Sequence, residues 1–370
     1  MQSITVKAPG RINLIGEHTD YNNGFVLPAA IQKAATITIT KRGDDQMHLK
    51  ALDLNDELLI DSFASLQKSN KQWANYIIGV IVQFVKKQKF STGFNIAITS
   101  DVPIGAGLSS SAAIECAVAY GLNELFGLGI DKIDLALMAQ KAEHEFAGVQ
   151  CGIMDQFASL FGKKDQVVLL DCQSMEYQYF PLQLEGFTII LLDTGVKHAL
   201  ASSEYNTRRK ECEAGVQMMQ VKYPALVSLR DATISILNET VDANTNPLIY
   251  NRCKYVIEEI ERTLAATEDL KSNQLLAFGK KMFATHEGLS KLYEVSCPEL
   301  DLLVEAVKNK PAVMGARMMG GGFGGCTINI VANDEAPQLI EELTQLYEVK
   351  TGKQLQHYIV SIEEGASVIK

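Results

Sequence analysis

The sequence lacks the segments that would direct a chain into or across a membrane. No uninterrupted apolar run is long enough to span a bilayer. The first ten residues show no basic stretch followed by an apolar one, so we expect no signal peptide. The seven cysteines are odd in number and include no C-x-x-C pair, which favours free thiols over a disulfide framework. We therefore expect a cytoplasmic protein that does not bind membranes.

Basic residues are also too few for a protein that binds nucleic acid. Lys and Arg number 34 against 44 Asp and Glu, which gives a net charge of −10 and a pI near 5.2. This excess of acid argues against nucleic acid or an anionic membrane as the main partner. The chain has 370 residues, 47% of them hydrophobic and 21% charged, and is long enough for two globular domains.

The central motif is a segment rich in glycine and serine, Pro103-Ile-Gly-Ala-Gly-Leu-Ser-Ser-Ser-Ala-Ala113. The residues before it, 94–99, alternate between apolar and polar side chains as in a strand, and Ala112 onward has the pattern of a helix. Glycines allow the backbone to approach a ligand closely, and the free N–H groups at the start of a helix favour an anion. The order of strand, glycine turn and serine-rich helix start indicates a phosphate-binding loop.

Two familiar phosphate-binding loops do not fit this segment. A Walker A loop would need Gly and Lys before its Ser or Thr, and a dinucleotide-binding turn would need Gly where Ser110 stands. An ordinary tight turn with a serine N-cap remains the alternative. Three consecutive serines are more than a cap requires, so we give the two interpretations about equal weight.

A second polar segment lies near the N-terminus, from Gly10 to Gly24. Glu17 and Asp20 are acceptors suited to sugar hydroxyls, and His18 can donate or accept. By itself the segment would more simply be a solvated loop, and a metal site formed by the same three residues is a weaker alternative. The apolar residues that follow, 25–31, indicate instead that the segment lies on a packed scaffold.

Several single residues are further candidates for function. Asp155 is a lone carboxylate in an apolar run, where a general base and a carboxylate bonded to nearby backbone are equally open. Trp73 and Tyr76 lie on a helical pattern over residues 72–86 and are more simply core residues than an adenine platform. Tyr205 could cover a polar ligand.

Two further features have simpler interpretations. The basic run 208–210 is best explained as a solvated helix face, and His286 as a structural histidine. The glycines of residues 320–325 form a backbone that few side chains would allow. An apolar strand follows them directly, which argues against a flexible hairpin tip.

Taken in chain order, these motifs resemble those of the GHMP small-molecule kinases. Residues 10–21, with their Glu-His-x-Asp, look like the galactokinase signature within that superfamily. Residues 103–112 are similar to its nucleotide loop, and Gly320 to Gly325 to its third motif. Three more stretches resemble galactokinases, namely 73–76, 151–157 and 203–205. The resemblance covers essentially the whole chain.

The resemblance implies phosphorylation of α-D-galactose at its C1 hydroxyl by ATP with Mg²⁺, the first committed step of the Leloir pathway. It implies that Asp155 takes the proton of that hydroxyl and that Arg11 lies beside Asp155 and the γ-phosphate. The sugar contacts that it implies are Glu17, His18, Asp20, Gly152 and Tyr205. The nucleotide contacts are Trp73, Tyr76, Gly105, Ala106, Gly107, Leu108, Ser109, Ser110 and Ser111. Ser111 is the implied contact for Mg²⁺.

The fold that the resemblance implies is α+β, with two domains of mixed sheets and helices and the active site in the cleft between them. Residues 1–180 would form the N-terminal domain, with the final strand near 356–370 as a candidate addition to it. Residues 181–355 would form the C-terminal domain. The expected ligands are a sugar and ATP, and the expected state is a monomer.

Two other functions share this pattern of motifs. A related sugar 1-kinase acting on N-acetylgalactosamine or arabinose would keep the loop and the base but differ around the sugar. A non-catalytic galactose and ATP sensor could lose Asp155 without penalty, and the chain retains it together with Arg11. Met319 is one departure, since many galactokinases have Thr there, and any polar role for that position is in doubt.

Overall fold

The computed structural model describes residues 2–87, 90, 92–196 and 201–369, with the side chains of residues 201 and 202 left out. In chain order the strands are β1 (Ser3–Asn13), β2 (Phe25–Val26), β3 (Pro28–Lys41), β4 (Met47–Ala51), β5 (Asp56–Ile60), β6 (Phe94–Ser100), β7 (Gln166–Asp171), β8 (Tyr177–Pro181), β9 (Phe187–Asp193), β10 (Val313–Met318), β11 (Cys326–Ala332), β12 (Gln356–Val360) and β13 (Ser367–Ile369). The α-helices are α1 (Gln72–Lys86), α2 (Ser110–Phe126), α3 (Lys132–Ala142), α4 (Met154–Phe161), α5 (Ala201–Gln220), α6 (Ile234–Thr240), α7 (Pro247–Lys271), α8 (Leu275–Lys291), α9 (Pro298–Val307) and α10 (Ala336–Thr351).

The first half of the chain is built on a six-stranded sheet in the order β13-β1-β3-β6-β4-β5. Strand β3 alternates isoleucine with threonine, and Ile37 and Ile39 point into the core with no exposed surface. Helix α2 covers this face closely because Gly121 has no side chain, and a Cβ there would lie 2.9 Å from the Ile39 side chain. The packing of α2 on the sheet places the serine-rich end of the helix at the site described below.

The second half contains a four-stranded antiparallel sheet in the order β10-β11-β9-β12. A separate core joins α5, α7 and the end of α8 around Tyr255 and Tyr293, neither of which has exposed surface. A third, three-stranded sheet has the order β2-β7-β8. This architecture confirms the predicted α+β class with mixed sheets and helices.

The end of the chain is shared between the two large sheets. Strand β12 pairs with β9 in the second sheet, whereas β13 pairs with β1 in the first, with Thr5 opposite Ile369. The division at residues 180 and 181 stays a prediction. What bears on it is that β9 begins the second sheet at Phe187, and that the final segment reaches the first sheet through β13 and through a bridge between Ile362 and Ile31.

The predicted helices and strands agree with the structure apart from some of their ends. The helix predicted over 72–86 is confirmed at both ends. Helix α3 ends at Ala142 and continues as a π-helical turn, Glu143–Ala147. The final strand that the resemblance placed near 356–370 is two strands, β12 and β13. All seven cysteines are free. None of the helices that the structure describes is both long and apolar enough to cross a bilayer.

Candidate active site

The polar segment after β1 is buried, so its interpretation as a solvated loop is wrong. Glu17, His18 and Asp20 have exposed fractions of 2%, 3% and 8%. The reason is the scaffold, since Leu14 and Ile15 at the start of the segment have no exposed surface and the backbone pairs with Leu27 beyond it. We call residues 14–24 the sugar loop, after the sugar contacts that the resemblance predicts for it.

Glu17 joins the sugar loop to the third glycine motif. Its Oε1 accepts from Asn13 Nδ2 at 3.1 Å, and its Oε2 accepts from Arg317 Nη1 at 2.6 Å and from the Gly320 N–H at 3.1 Å. Burial would raise the pKa of Glu17, but the charges of Arg317 and Arg11 and these hydrogen bonds outweigh burial and lower it. Both oxygens therefore already have donors. The sequence analysis missed Arg317, which lies in an apolar strand.

Asp155 lies in the first turn of α4 and is bonded to side chains, so the backbone-bonded alternative is wrong. Its Oδ1 accepts from Arg11 Nε at 2.8 Å, and its Oδ2 accepts from Ser109 Oγ at 2.5 Å. Arg11 also donates to the Gly107 carbonyl at 2.5 Å. Burial would lower the pKa of Arg11, but the charges of Asp155 and Glu17 more than offset it, so Arg11 is a permanent cation.

The segment 103–111 connects β6 to α2 as a turn with left-handed residues. Gly105 and Gly107 have φ of 82° and 75°, and Ser109 has φ of 59°. Ser109 makes no capping hydrogen bond to the helix, so the interpretation of this residue as an ordinary serine N-cap is wrong. Ala106 and Leu108 have almost no exposed surface, and of the two only Leu108 lines the cavity described below.

The third glycine motif packs directly on this loop. A Cβ at Gly107 would lie 3.2 Å from the Met319 carbonyl, and a Cβ at Gly320 would lie 3.3 Å from the Gly107 carbonyl. The loops from the two halves of the chain therefore touch through backbone alone, and the motif is not a free hairpin tip. Met319 is 1% exposed and packs in the core.

Ser111 is the second residue of α2 and donates to Glu143 Oε1 at 2.9 Å. Glu143 begins the π-helical turn and was missed by the sequence analysis. Burial, reinforced by the charge of Asp155, raises the pKa of Glu143. A hydroxyl and a carboxylate are oxygen ligands of the kind that Mg²⁺ prefers, and Mg²⁺ usually takes only one or two carboxylates from a protein. The donor set therefore fits Mg²⁺.

Asp20 and His18 line the same cavity as Ser111. Gly152 lies so close to Asp20 that a Cβ there would come within 1.9 Å of Asp20 Oδ2. The His18 ring lies 5.3 Å from the Tyr205 ring, and its Nδ1 lies 2.8 Å from the Tyr21 hydroxyl. Within the described residues, no three His, Cys, Asp or Glu side chains could together hold a metal ion, so the metal-site alternative for the sugar loop is wrong.

Most of the predicted residues line one cavity of about 260 Å³. They are Arg11, Glu17, His18, Asp20, Gly105, Gly107, Leu108, Ser109, Ser110, Ser111, Gly152, Asp155 and Tyr205. Residues that the sequence analysis did not single out for the site also line it, among them Glu143, Cys151 and Met154. The cavity thus lies between loops of the first half and Gly320, Gly321 and Tyr205 of the second.

Trp73 and Tyr76 line a neighbouring, mainly apolar cavity of about 310 Å³. Ser110 and Ser111 belong to the walls of both cavities, so the start of α2 separates the two spaces. Trp73 Nε1 donates to Asp56 Oδ2 at 2.9 Å, which fixes the indole at the cavity wall.

The structure contradicts the interpretation of Arg208 as solvated and supports that of His286 as structural. Arg208 is 7% exposed and donates to the backbone carbonyls of Tyr293 and Glu294, so its placement on a solvated face is wrong. The structural role of His286 is confirmed, because its Nδ1 accepts from the Met318 N–H at 3.1 Å and its Nε2 lies 3.2 Å from Asp301.

Comparison with known proteins first defines the class. Residues 75–163 match the GHMP kinases N terminal domain, and residues 266–349 match the GHMP kinases C terminal domain. The Methanococcus jannaschii mevalonate kinase has the same fold, with a TM-score of 0.67 at 20% identity over 98% of each chain. The fold is that of the GHMP kinases.

The comparisons then narrow the class to one family. Residues 2–41 match the galactokinase galactose-binding signature. The chain is 42% identical to a galactokinase of Thermotoga maritima over 98% of this chain and 99% of that protein, and 41% identical to one of Clostridium acetobutylicum over 98% and 94%. It matches Lactococcus lactis galactokinase complexed with galactose with a TM-score of 0.94 at 33% identity, over 99% of this chain and 95% of that one. The chain belongs to the galactokinase family.

Proposed function

We propose that this protein transfers the γ-phosphoryl group of ATP to the C1 hydroxyl of α-D-galactose, giving galactose 1-phosphate and ADP. The observation that carries the proposal is the bonded group of Arg11, Asp155 and Ser109, which lies where the sugar loop meets the phosphate loop. The galactose-binding signature in residues 2–41 supports galactose as the sugar. This reaction is the first committed step of the Leloir pathway.

Asp155 is the proton acceptor in this mechanism. Its two oxygens hold Arg11 and Ser109, and a sugar C1 hydroxyl beside it would donate its proton to the carboxylate. Arg11 stabilises the negative charge that develops on the transferring group, and it is already positioned by Asp155 and the Gly107 carbonyl. Positioning and charge supply most of the rate in a loose phosphoryl-transfer transition state.

The sugar lies in the part of the cavity that is lined by the sugar loop and α5. Asp20 accepts from sugar hydroxyls, with Gly152 leaving room for its carboxylate. His18 and Tyr205 form the aromatic side of this pocket. Glu17 holds the sugar loop against the third glycine motif by accepting a hydrogen bond from the Gly320 N–H. Its negative charge lies at the wall of the cavity.

The nucleotide extends from the phosphate loop into the apolar cavity. The N–H groups at the start of α2 and of residues 105–111 bind the phosphates. Adenine lies between Trp73 and Tyr76 in the neighbouring cavity. Ser111 and Glu143 would hold Mg²⁺, which would neutralise negative charge on the phosphates. We further expect a cytoplasmic monomer.

An ADP-release assay with ATP and Mg²⁺ over a panel of sugars tests the function. We expect turnover of galactose and little turnover of glucose, N-acetylgalactosamine or arabinose. Turnover of another sugar alone would show that galactose is not the substrate, while the proposed mechanism would still apply. Binding of galactose without any turnover would favour a sensor.

The role of Asp155 is tested by Asp155→Asn. The amide cannot take the proton, so we expect kcat to fall by about 10²–10⁴. Galactose and ATP should still bind, as measured by calorimetry. Turnover close to that of the unaltered protein would remove Asp155 from the mechanism.

A further inference from the structure

A buried group of polar side chains lies behind the proposed Mg²⁺ ligands. Glu115 on α2 and Gln156 on α4 have no exposed surface, and Glu143 is 7% exposed. Neither Glu115 nor Glu143 forms an ion pair with a Lys, Arg or His of the described chain. Two buried carboxylates thus lie near Asp155 without a cation of their own, and such groups need hydrogen-bond donors instead.

Gln156 supplies these donors from a single nitrogen. Its Nε2 lies 2.7 Å from Glu143 Oε2 and 3.1 Å from Glu115 Oε2. An amide nitrogen carries two N–H groups, so one points to each carboxylate. In this orientation the amide donates to both carboxyl groups, and Gln156 Oε1 is buried with no hydrogen-bond partner among the described residues.

This arrangement gives the two oxygens of Glu143 different roles. Oε2 faces inward to Gln156, and Cys151 Sγ adds a contact to it at 3.4 Å. Oε1 faces Ser111, whose hydroxyl lies 2.9 Å away in the cavity wall. Only Oε1 is therefore paired with the second oxygen ligand of the proposed cation.

The position of Gln156 in the chain also matters. It follows Asp155 directly in the first turn of α4, and the two side chains reach different partners, Arg11 and Glu143. The proton acceptor and the carboxylate on the metal side are thus held by adjacent residues of one rigid helix. A shift of α4 would move both together.

We propose that Gln156 is a positioning residue that sets the orientation of Glu143, with Glu115 holding Gln156 from behind. The proposal rests on the proposed function, in which Glu143 binds Mg²⁺. Gln156 touches neither substrate nor metal. It acts by keeping Oε2 turned inward, so that Oε1 and Ser111 remain a preformed pair. Outer partners of metal ligands commonly affect metal affinity by about 10–100-fold.

The test is Mn²⁺ binding in the presence of ADP, followed by electron paramagnetic resonance, for Gln156→Met. Methionine fills a similar volume without N–H donors, so we expect the Mn²⁺ dissociation constant to rise by about tenfold or more. Galactose affinity measured without metal should change by less than about twofold, because the sugar loop is untouched. Raising the Mg²⁺ concentration should restore part of the lost turnover.

Gln83→Met is the matched control. Gln83 is also buried, and its Nε2 donates at 2.8 Å to Glu145 in the same π-helical turn, two residues beyond Glu143. This variant should bind Mn²⁺ as the unaltered protein does. An equal loss in Gln83→Met would mean that the turn is only weakened in general, and the proposal would fall.

A second variant covers the case in which Gln156→Met does not fold. Gln156→Met combined with Glu115→Leu replaces the buried polar pair by apolar side chains and leaves no unpaired carboxylate behind Gln156. It should show the same loss of Mn²⁺ affinity as Gln156→Met. Unchanged Mn²⁺ binding in either variant, or none in the unaltered protein with ADP, overturns the proposal. Failure to turn over galactose would instead overturn the proposed function, while the Mn²⁺ titration would still decide the role of Gln156.

Discussion

His18 and Asp20 lie two residues apart, and burial moves their pKa values in opposite directions. Burial lowers the pKa of His18 to about 4, although the charge of Glu17 opposes the shift. Burial and the charge of Asp155 raise the pKa of Asp20 to about 7. In both residues burial favours the neutral form. At neutral pH, His18 is therefore uncharged and Asp20 is close to its midpoint of ionisation.

The pKa of Asp20 predicts a pH dependence of sugar use. The ionised carboxylate accepts hydrogen bonds from sugar hydroxyls, so kcat/KM for galactose should fall as pH decreases below about 7. kcat/KM for ATP should fall less, because Asp20 lies on the sugar side. Asp20→Asn should flatten the galactose profile, and rate measurements between about pH 5.5 and 8.5 would check this. A variant profile that keeps the same inflection would assign the titration to another group.

The same residue should affect stability with the opposite trend. The pKa of Asp20 is about 7 in the folded protein and near 3.8 in an unfolded chain, so the folded state binds the extra proton between these values. The stabilisation is complete below about pH 3.8 and is lost as pH rises through about 7. Asp20 therefore favours folding on the acid side and sugar binding on the alkaline side.

Gly152 gives a second prediction at the scale of one residue. A methyl group there would overlap Asp20 Oδ2, so Gly152→Ala should displace the carboxylate and raise the KM for galactose by about tenfold or more. The KM for ATP should change little. Gly43→Ala is the control, since a Cβ at Gly43 meets nothing within 4 Å. Equal KM values for galactose in the two variants would contradict the predicted role of Asp20.

The sequence predicted the residues of the site where motifs carry them, and missed those that depend on distant packing. Arg11 and Asp155 stand in recognisable stretches, and the structure brings them to 2.8 Å. Glu143 reaches Ser111 from a π-helical turn, which no pattern in the sequence indicated. Arg208 was misinterpreted because its partners, the carbonyls of Tyr293 and Glu294, come from another helix end.

At the scale of elements, strand β10 and the sugar loop are joined by one buried ion pair. Arg317 has no exposed surface and donates to Glu17 and to the carbonyls of Asn13 and Leu14. The strand of the second sheet therefore supports the loop in the first half that we propose binds the sugar. Removal of Arg317 would leave Glu17 buried without its ion-pair partner, with only the weaker attraction of Arg11.

Arg317→Met should lower the free energy of unfolding by about 3–5 kcal/mol, because Glu17 would lose its buried cation. Urea unfolding measures this change. Adding Glu17→Gln should recover part of the loss, since no unpaired charge then remains. Lys310→Ala, which breaks the more exposed pair with Glu342, should change stability by at most about 1 kcal/mol. A double variant as unstable as Arg317→Met would show that the hydrogen bonds to backbone, not the charge, dominate.

The elements themselves were predicted best where they are long and periodic. The apolar stripe over residues 72–86 predicted both ends of α1 correctly. The resemblance placed a final strand near 356–370 as a candidate addition to the first domain. The pairing of β13 with β1 could not be predicted, because three residues carry no periodic signal and β1 lies at the other end of the chain.

At the scale of the whole molecule, the cavity joins the two halves of the chain. The phosphate loop and the sugar loop come from the first half, and Gly320, Gly321 and Tyr205 come from the second. A ligand that fills the cavity contacts both halves at once. Ligand binding should therefore stabilise the protein as a unit.

Galactose at about 100 times its dissociation constant should stabilise the folded state by about 2.7 kcal/mol. For a chain of this length, the expected rise in Tm is a few °C. Scanning calorimetry with galactose, and with glucose at the same concentration as a control, checks this expectation. Asp155→Asn should show the same rise, because the variant loses proton transfer and keeps binding. Equal shifts with both sugars would argue against a galactose-specific pocket.

The return of β13 to β1 affects when the first sheet can be completed during synthesis. Strand β1 ends at Asn13, and its neighbour β13 begins at Ser367. A ribosome adds roughly 5–20 residues per second, so on the order of tens of seconds separate the two strands. During that interval this side of β1 has an unpaired backbone, on which a strand from another nascent chain could dock. When several ribosomes translate the same mRNA, their nascent chains are close together. Their proximity therefore favours mispairing at the unpaired side of β1 until β13 has been synthesised.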